Sequence, residues 1–118
     1  FPSVFRVSLP DAKFEHAYYK CYVYVRPDVL SVDWSRDCII EAINSRGVPC
    51  YSGTCSEVYL EKAFDRSGFR PGCRLPGAKE LGETSLMFLV HPTMTGDEIQ
   101  KTCNVISEVA VLACKECK

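Results

Sequence analysis

The sequence predicts an α+β domain in which a small antiparallel sheet is covered by helices. Three observations carry this. Residues 17–26 are dominated by aromatic and β-branched side chains (Tyr18, Tyr19, Tyr22, Val23, Tyr24, Val25), the composition of a strand. Residues 85–90, Ser85-Leu86-Met87-Phe88-Leu89-Val90, are almost continuously apolar, as in a buried strand. Thr95-Gly96-Asp97-Glu98 has capping-box spacing and opens a long helical pattern.

The elements follow in order. Residues 1–15 read as an extended lead-in, punctuated by Pro2, Pro10 and Asp11. In the strand that follows, Tyr19, Cys21, Val23 and Val25 fall on one face. Tyr18, Lys20, Tyr22 and Tyr24 fall on the other, which is more polar and suits solvent or a partner domain. Pro27-Asp28 ends it. Ser35 caps a helix over 36–46, where Ile39 and Ile43 stack one turn apart and Gly47 is a natural residue just past the end. Val48-Pro49-Cys50-Tyr51 is a short strand, and Pro49 puts it at an edge or at its own start.

Residues 52–56 form a small polar loop, and Ser56 is placed to cap a short helix over 57–64. Residues 65–77 are a loop by composition, and 78–83 a turn or two of helix. After the strand at 85–90, the last helix carries Ile99, Cys103, Ile106, Ala110, Ala113 and Cys117 at alternating steps of four and three, a single apolar stripe.

The 118 residues suffice for one domain, 1–118, with its own core. Apolar residues make up 47% and charged residues 25%, which excludes a disordered chain. A net charge of −1 gives no field to gather nucleic acid or an anionic membrane surface. The longest apolar run is far below the roughly 20 residues that span a bilayer. Phe1-Pro2-Ser3-Val4-Phe5-Arg6 lacks the basic start and apolar stretch of a signal peptide, and there is no initial Met. The expectation is a cytoplasmic segment excised from a longer chain.

Eight cysteines (Cys21, Cys38, Cys50, Cys55, Cys73, Cys103, Cys114, Cys117) admit two readings: a secreted disulfide framework, or reduced thiols that serve as small hydrophobes. The core-building composition and the two cysteines on the last helical stripe favour reduced thiols. Cys114-Lys115-Glu116-Cys117 has metal-ligand spacing, but a structural zinc site wants a second close pair, and Cys50 and Cys55 are five apart. A redox pair belongs at a helix start, not at a helix end where the dipole disfavours a thiolate. No metal is expected.

Two histidines carry no Ser-His-Asp or Cys-His motif. Pro92 holds His91 extended at the end of the last strand and aims its ring, so His91 is a candidate site residue; His16 is a weaker one. Gly68, Gly72 and Gly77 lack the spacing and the lysine of a phosphate loop. The segment Tyr51-Ser52-Gly53-Thr54-Cys55-Ser56-Glu57 offers hydroxyls and backbone N–H groups, which suit an anion or a sugar hydroxyl.

His16-Ala17-Tyr18-Tyr19-Lys20-Cys21-Tyr22, then Trp34-Ser35-Arg36-Asp37, residues 40–51 ending in Gly47-Val48-Pro49-Cys50-Tyr51, residues 56–64 and residues 75–95 occur in an order and spacing that resembles the C-terminal domain of the DegT/DnrJ/EryC1/StrS aminotransferases. The resemblance covers residues 16–112. It implies the small C-terminal domain of the fold-type I aminotransferases, a pyridoxal 5′-phosphate cofactor, and transfer of an amino group, usually from glutamate, to a nucleotide-linked keto sugar. It also implies a homodimer and a role in polysaccharide or related amino-sugar biosynthesis.

Two departures qualify what carries over. The Schiff-base lysine and the carboxylate that pairs with the pyridine nitrogen belong to a large N-terminal domain, and no lysine here has that setting. The 118 residues alone are therefore expected to be inactive, to hold no cofactor, and to contain no catalytic residue. Many members also carry a histidine in the loop after the second strand, where this chain has Tyr51-Ser52-Gly53-Thr54-Cys55. The expected role is to cover one side of the active site, with Tyr51, Ser52, Gly53, Thr54, Cys55, Ser56, Glu57, Tyr59 and His91 binding substrate by hydrogen bonds. Two rivals are a stand-alone regulatory or small-ligand-binding α+β module and a zinc-stabilised interaction domain. The long segment between residues 52 and 84 argues against a minimal effector-binding unit.

Overall fold

Antiparallel pairing organises the molecule around two central strands. The computed structural model describes residues 4–53 and 55–115. Strand β1 (Phe5–Arg6) pairs with β2 (Lys20–Val25), and a 3-10 turn at Pro27–Val29 ends β2 where the proline was expected to. Helix α1 (Arg36–Asn44) leads to β3 (Cys50–Tyr51), and helix α2 (Pro76–Thr84) to β4 (Ser85–Leu89). Helix α3 (Gly96–Ala113) closes the chain. The sheet order is β1-β2-β4-β3, every pair antiparallel, so β3 is the edge strand that Pro49 pointed to. The α+β class holds. Within the extended lead-in Phe5 and Arg6 pair with Val25 and Tyr24, a strand the sequence did not single out because two residues are too short for a period-two signal.

Register sorts the side chains. Opposite Cys21 and Val23 stand Phe88 and Leu86, opposite Val25 stands Phe5, and opposite Phe88 stands Cys50. This inner face packs against Ile39 and Ile43 of α1 and Val105, Val109 and Ala113 of α3. Each fully buried aliphatic side chain contributes about 1.5–3 kcal/mol. The outer face carries Arg6, Tyr22, Tyr24, Met87 and Tyr51, with Tyr22 and Tyr24 half-buried. Tyr19, assigned to the inner face from the sequence, precedes the strand and is 83% exposed.

Ser35 caps α1, its hydroxyl accepting from the Cys38 N–H. Thr95 and Glu98 cap α3 reciprocally, with Glu98 N–H donating to the Thr95 hydroxyl and Thr95 N–H to Glu98 Oε2 at 2.8 Å. The stripe on α3 follows the expected one in its second half. Val105, Val109, Ala110 and Ala113 are buried, whereas Ile99 is 50% exposed and Cys103 lies outside; Cys117 falls outside the described residues. Two valines one turn apart bury more apolar area against α1 than a cysteine would. Ile99 sits in the first turn of α3.

The thiols follow. Cys50 and Cys114 are buried in the core and Cys21 packs against it; Cys38, Cys55, Cys73 and Cys103 are exposed. Ser56 also departs from expectation. Its hydroxyl donates to the Ala78 carbonyl at 2.6 Å and caps nothing. Residues 57–64 form two 3-10 turns, Val58–Leu60 and Lys62–Phe64. Among the described residues no helix is long and apolar enough to cross a membrane, and no three His, Cys, Asp or Glu side chains converge as metal ligands.

Candidate functional site

Arg36 is the first residue of α1, where a cation opposes the helix dipole. Asp37 Oδ1 stands 2.6 Å from its Nε, but at an angle too poor for a hydrogen bond, so that buried N–H has no acceptor. The side chain is only 17% exposed. Its Nη1 donates to the Ser85 carbonyl at 3.2 Å and to the Ser52 carbonyl at 3.3 Å. The Ser85 hydroxyl donates to that same Ser52 carbonyl at 2.6 Å. Beside it Gly53 has φ +83°, and a Cβ there would stand 2.8 Å from Ser85 Oγ. Only glycine fits that approach without strain.

These residues form one wall of a cleft of about 430 Å³ that is completed by Cys55, Ser56, Glu57, Arg74 and the end of α2. Arg74 holds Glu57 with two donors, Nε to Oε1 at 2.8 Å and Nη2 to Oε2, and reaches Glu83 Oε1 at 3.1 Å. The Tyr59 hydroxyl donates to Glu57 Oε1 at 2.7 Å and accepts from the Leu75 N–H at 3.0 Å. Arg74, then Tyr59, holds the Glu57 carboxyl down to about 2. Burial, then the neighbouring carboxylate, pushes the Tyr59 phenol up. Arg70 ties the adjoining turns together, donating to the carbonyls of Tyr59, Leu60 and Glu61.

The structure brings Ser52, Gly53, Cys55, Ser56 and Glu57 to this cleft, with Tyr59 bracing Glu57 from behind. Tyr51 lies on the outer sheet face opposite Met87, at the approach to the cleft; Thr54 falls outside the described residues. His91 is elsewhere. It follows β4 at the opposite end from Ser85, about 20 Å along the strand direction. There it lines a separate cavity of about 290 Å³ with Gly47, Val48, Phe88, Met94 and Lys101. The Thr93 side-chain Oγ1 lies 2.7 Å from His91 Nδ1 and the Thr93 N–H 3.3 Å from it, so the ring is held by its own turn.

Sequence reasoning missed Arg36, Arg74 and Glu83 as site residues. Arg36 had a signal: a cation in the first turn of a helix breaks a local rule and calls for a reason. Arg74 had none, because only the fold sets it against Glu57. Glu57 is ionised at neutral pH and accepts three hydrogen bonds, so the cleft is equipped to bind and orient, with the Arg74 guanidinium and the Glu83 acceptor, and not to move a proton through Glu57.

No family model and no curated protein matches the chain. Solved structures do. An aminotransferase from Psychrobacter cryohalolentis is similar over 95% of this chain at 56% identity, with a TM-score of 0.89. The likeness is to part of an aminotransferase. This chain spans 30% of that protein's length. The aminotransferase TlmJ from Streptoalloteichus hindustanus is similar over 92% of this chain (19% identity, TM-score 0.73). A DegT DnrJ EryC1 StrS aminotransferase from Brucella abortus is similar over 91% (20% identity, TM-score 0.71). This chain spans 26% of each, and both share its fold.

Proposed function

We propose that the chain is the C-terminal, substrate-covering domain of a pyridoxal phosphate-dependent aminotransferase. The substrate is a nucleotide-linked keto sugar and the amino donor an amino acid such as glutamate, in polysaccharide or related amino-sugar biosynthesis. The enzyme works as a homodimer. The observation that carries the reading is the 56% identity to the Psychrobacter aminotransferase over 95% of this chain.

Pyridoxal phosphate, when bound, supplies the electron sink for cleaving and forming bonds at the amino carbon. The cleft of this chain does not fit that cofactor. Its lining has Arg36, Arg74 and serines but no lysine to bond an aldehyde. The lysine is therefore assigned to a domain outside these residues, and this chain's share is recognition. Arg74 presents donors, Glu83 and the Ser52 hydroxyl present acceptors, and the paired charges suit a polyhydroxylated ligand better than a bare ion.

The test is an absorption spectrum of the full-length protein with pyridoxal phosphate, then borohydride reduction and peptide mapping. A yellow protein labelled on a lysine outside the 118 residues supports the reading. A colourless protein, or one with no labelled lysine, overturns it.

A further inference from the structure

We propose that Arg36 is a positioning residue for the cleft, setting the 51–53 segment through the Ser52 carbonyl so that Tyr51 and Ser52 meet the ligand in one conformation. The role in ligand binding rests on the reading of the cleft as substrate-facing; the role in holding the segment does not. The Ser52 carbonyl accepts from Arg36 Nη1 at 3.3 Å and from Ser85 Oγ at 2.6 Å. The same Nη1 also donates to the Ser85 carbonyl at 3.2 Å. One guanidinium nitrogen thus joins the end of β3 to the start of β4 from the top of α1. A loop that β3, only two residues long, cannot hold by ladder bonds is pinned by a side chain.

The placement is unfavourable on its own terms. A cation sits at the positive end of a helix, with only the adjacent Asp37 carboxylate, 2.6 Å from its Nε, to offset it. Core packing does not call for it, because the buried positions of α1 are Ile39 and Ile43. Gly53 completes the device. Its positive φ and its close approach to Ser85 let the backbone lie flat enough for both donors to reach one carbonyl.

The test uses Arg36→Met, which keeps the aliphatic stem and removes the donors, and Ser85→Ala, which removes the other donor to the same carbonyl. In this chain, backbone order parameters at Ser52 and Gly53 are expected to fall from near 0.85 to below about 0.6 in each variant, while those of residues 39–43 hold. In the full-length enzyme, KM for the sugar nucleotide is expected to rise about tenfold with kcat unchanged within about twofold. The double variant should be no worse than the weaker single, since both act through one acceptor. Arg36→Lys, which can reach one carbonyl but not two, should recover part of the loss. Unchanged order parameters at Ser52 and Gly53, or loss of order throughout α1, overturns the proposal. So does a loosened segment with unchanged KM, or additive effects on KM. A full-length protein that binds no pyridoxal phosphate sinks the aminotransferase reading instead, and the order parameters then decide the role of Arg36 by themselves.

Discussion

The Tyr59 hydroxyl donates to Glu57 Oε1 at 2.7 Å while accepting from the Leu75 N–H at 3.0 Å, so one phenol ties the floor of the cleft to the entrance of α2. With Arg74 on the other side of the carboxylate, Glu57 is ionised down to about pH 2.

That depression has a sign. A carboxyl whose folded value lies below its unfolded one stabilises the fold above about pH 4.5, and the contribution is lost as pH falls toward about 2. Tyr59→Phe removes one donor, so the Glu57 titration should move up from about 2 while Arg74 keeps it below 4.5. Carbon-13 NMR of the carboxyl reads this directly. An unmoved midpoint would show that the phenol does not stabilise the charge.

Leu86 has no exposed surface and lies at the centre of the inner sheet face. Leu86→Ala should cost about 2–5 kcal/mol in urea denaturation. Val32, 99% exposed, is the control, and Val32→Ala should stay within about 0.5 kcal/mol. Similar costs at both sites would contradict the packing described for β4.

Gly53→Ala should destabilise by about 1 kcal/mol or more, from its positive φ and the 2.8 Å approach to Ser85 Oγ. Adding Ser85→Ala relieves the contact but not the dihedral, so the double variant should recover part of the loss. Full additivity in thermal unfolding would mean that the two residues do not meet.

Thiol reactivity should divide the cysteines by burial. A brief pulse of iodoacetamide, read by mass spectrometry, should label Cys38, Cys55, Cys73 and Cys103 and spare Cys50 and Cys114. Burial pushes the Cys50 thiol up to about 11, which keeps it protonated at neutral pH. Early labelling of Cys50 would place it at the surface.

The elements that were legible in the sequence are those whose signals are local. Ser35, the Thr95–Glu98 box, Pro49 and the apolar run at 85–90 each act within a few residues; each sits as expected except that the strand stops at Leu89 and leaves Val90 exposed. The stripe of α3 was legible in its second half, where Ala110 and Ala113 are buried and Ile106 packs against the core; Ile99, in the first turn, is 50% exposed, and Val105 and Val109 turn inward beside the stripe to meet Ile39 and Ile43. At the site, the 52–57 segment was legible as a cluster of hydroxyls and amides. Arg74 and Glu83 were not, because Arg74 meets Glu57 across 17 residues and Glu83 joins the cleft only through Arg74. His91 illustrates the converse. A proline-fixed ring at a strand end is easily noticed, yet the strand itself carries it to the far side of the sheet from Ser85.

Helix α2 passes into β4 with no residue between them, Thr84 ending one and Ser85 beginning the other. Gly82, Glu83 and Ser85 therefore belong to a single stiff arm rooted in the central strand of the sheet. The cleft has one jaw rooted in the central strand and one, Ser52 and Gly53, that follows a two-residue edge strand. The width of the opening is therefore set at one point, where the Ser52 carbonyl is tied to Arg36 and Ser85.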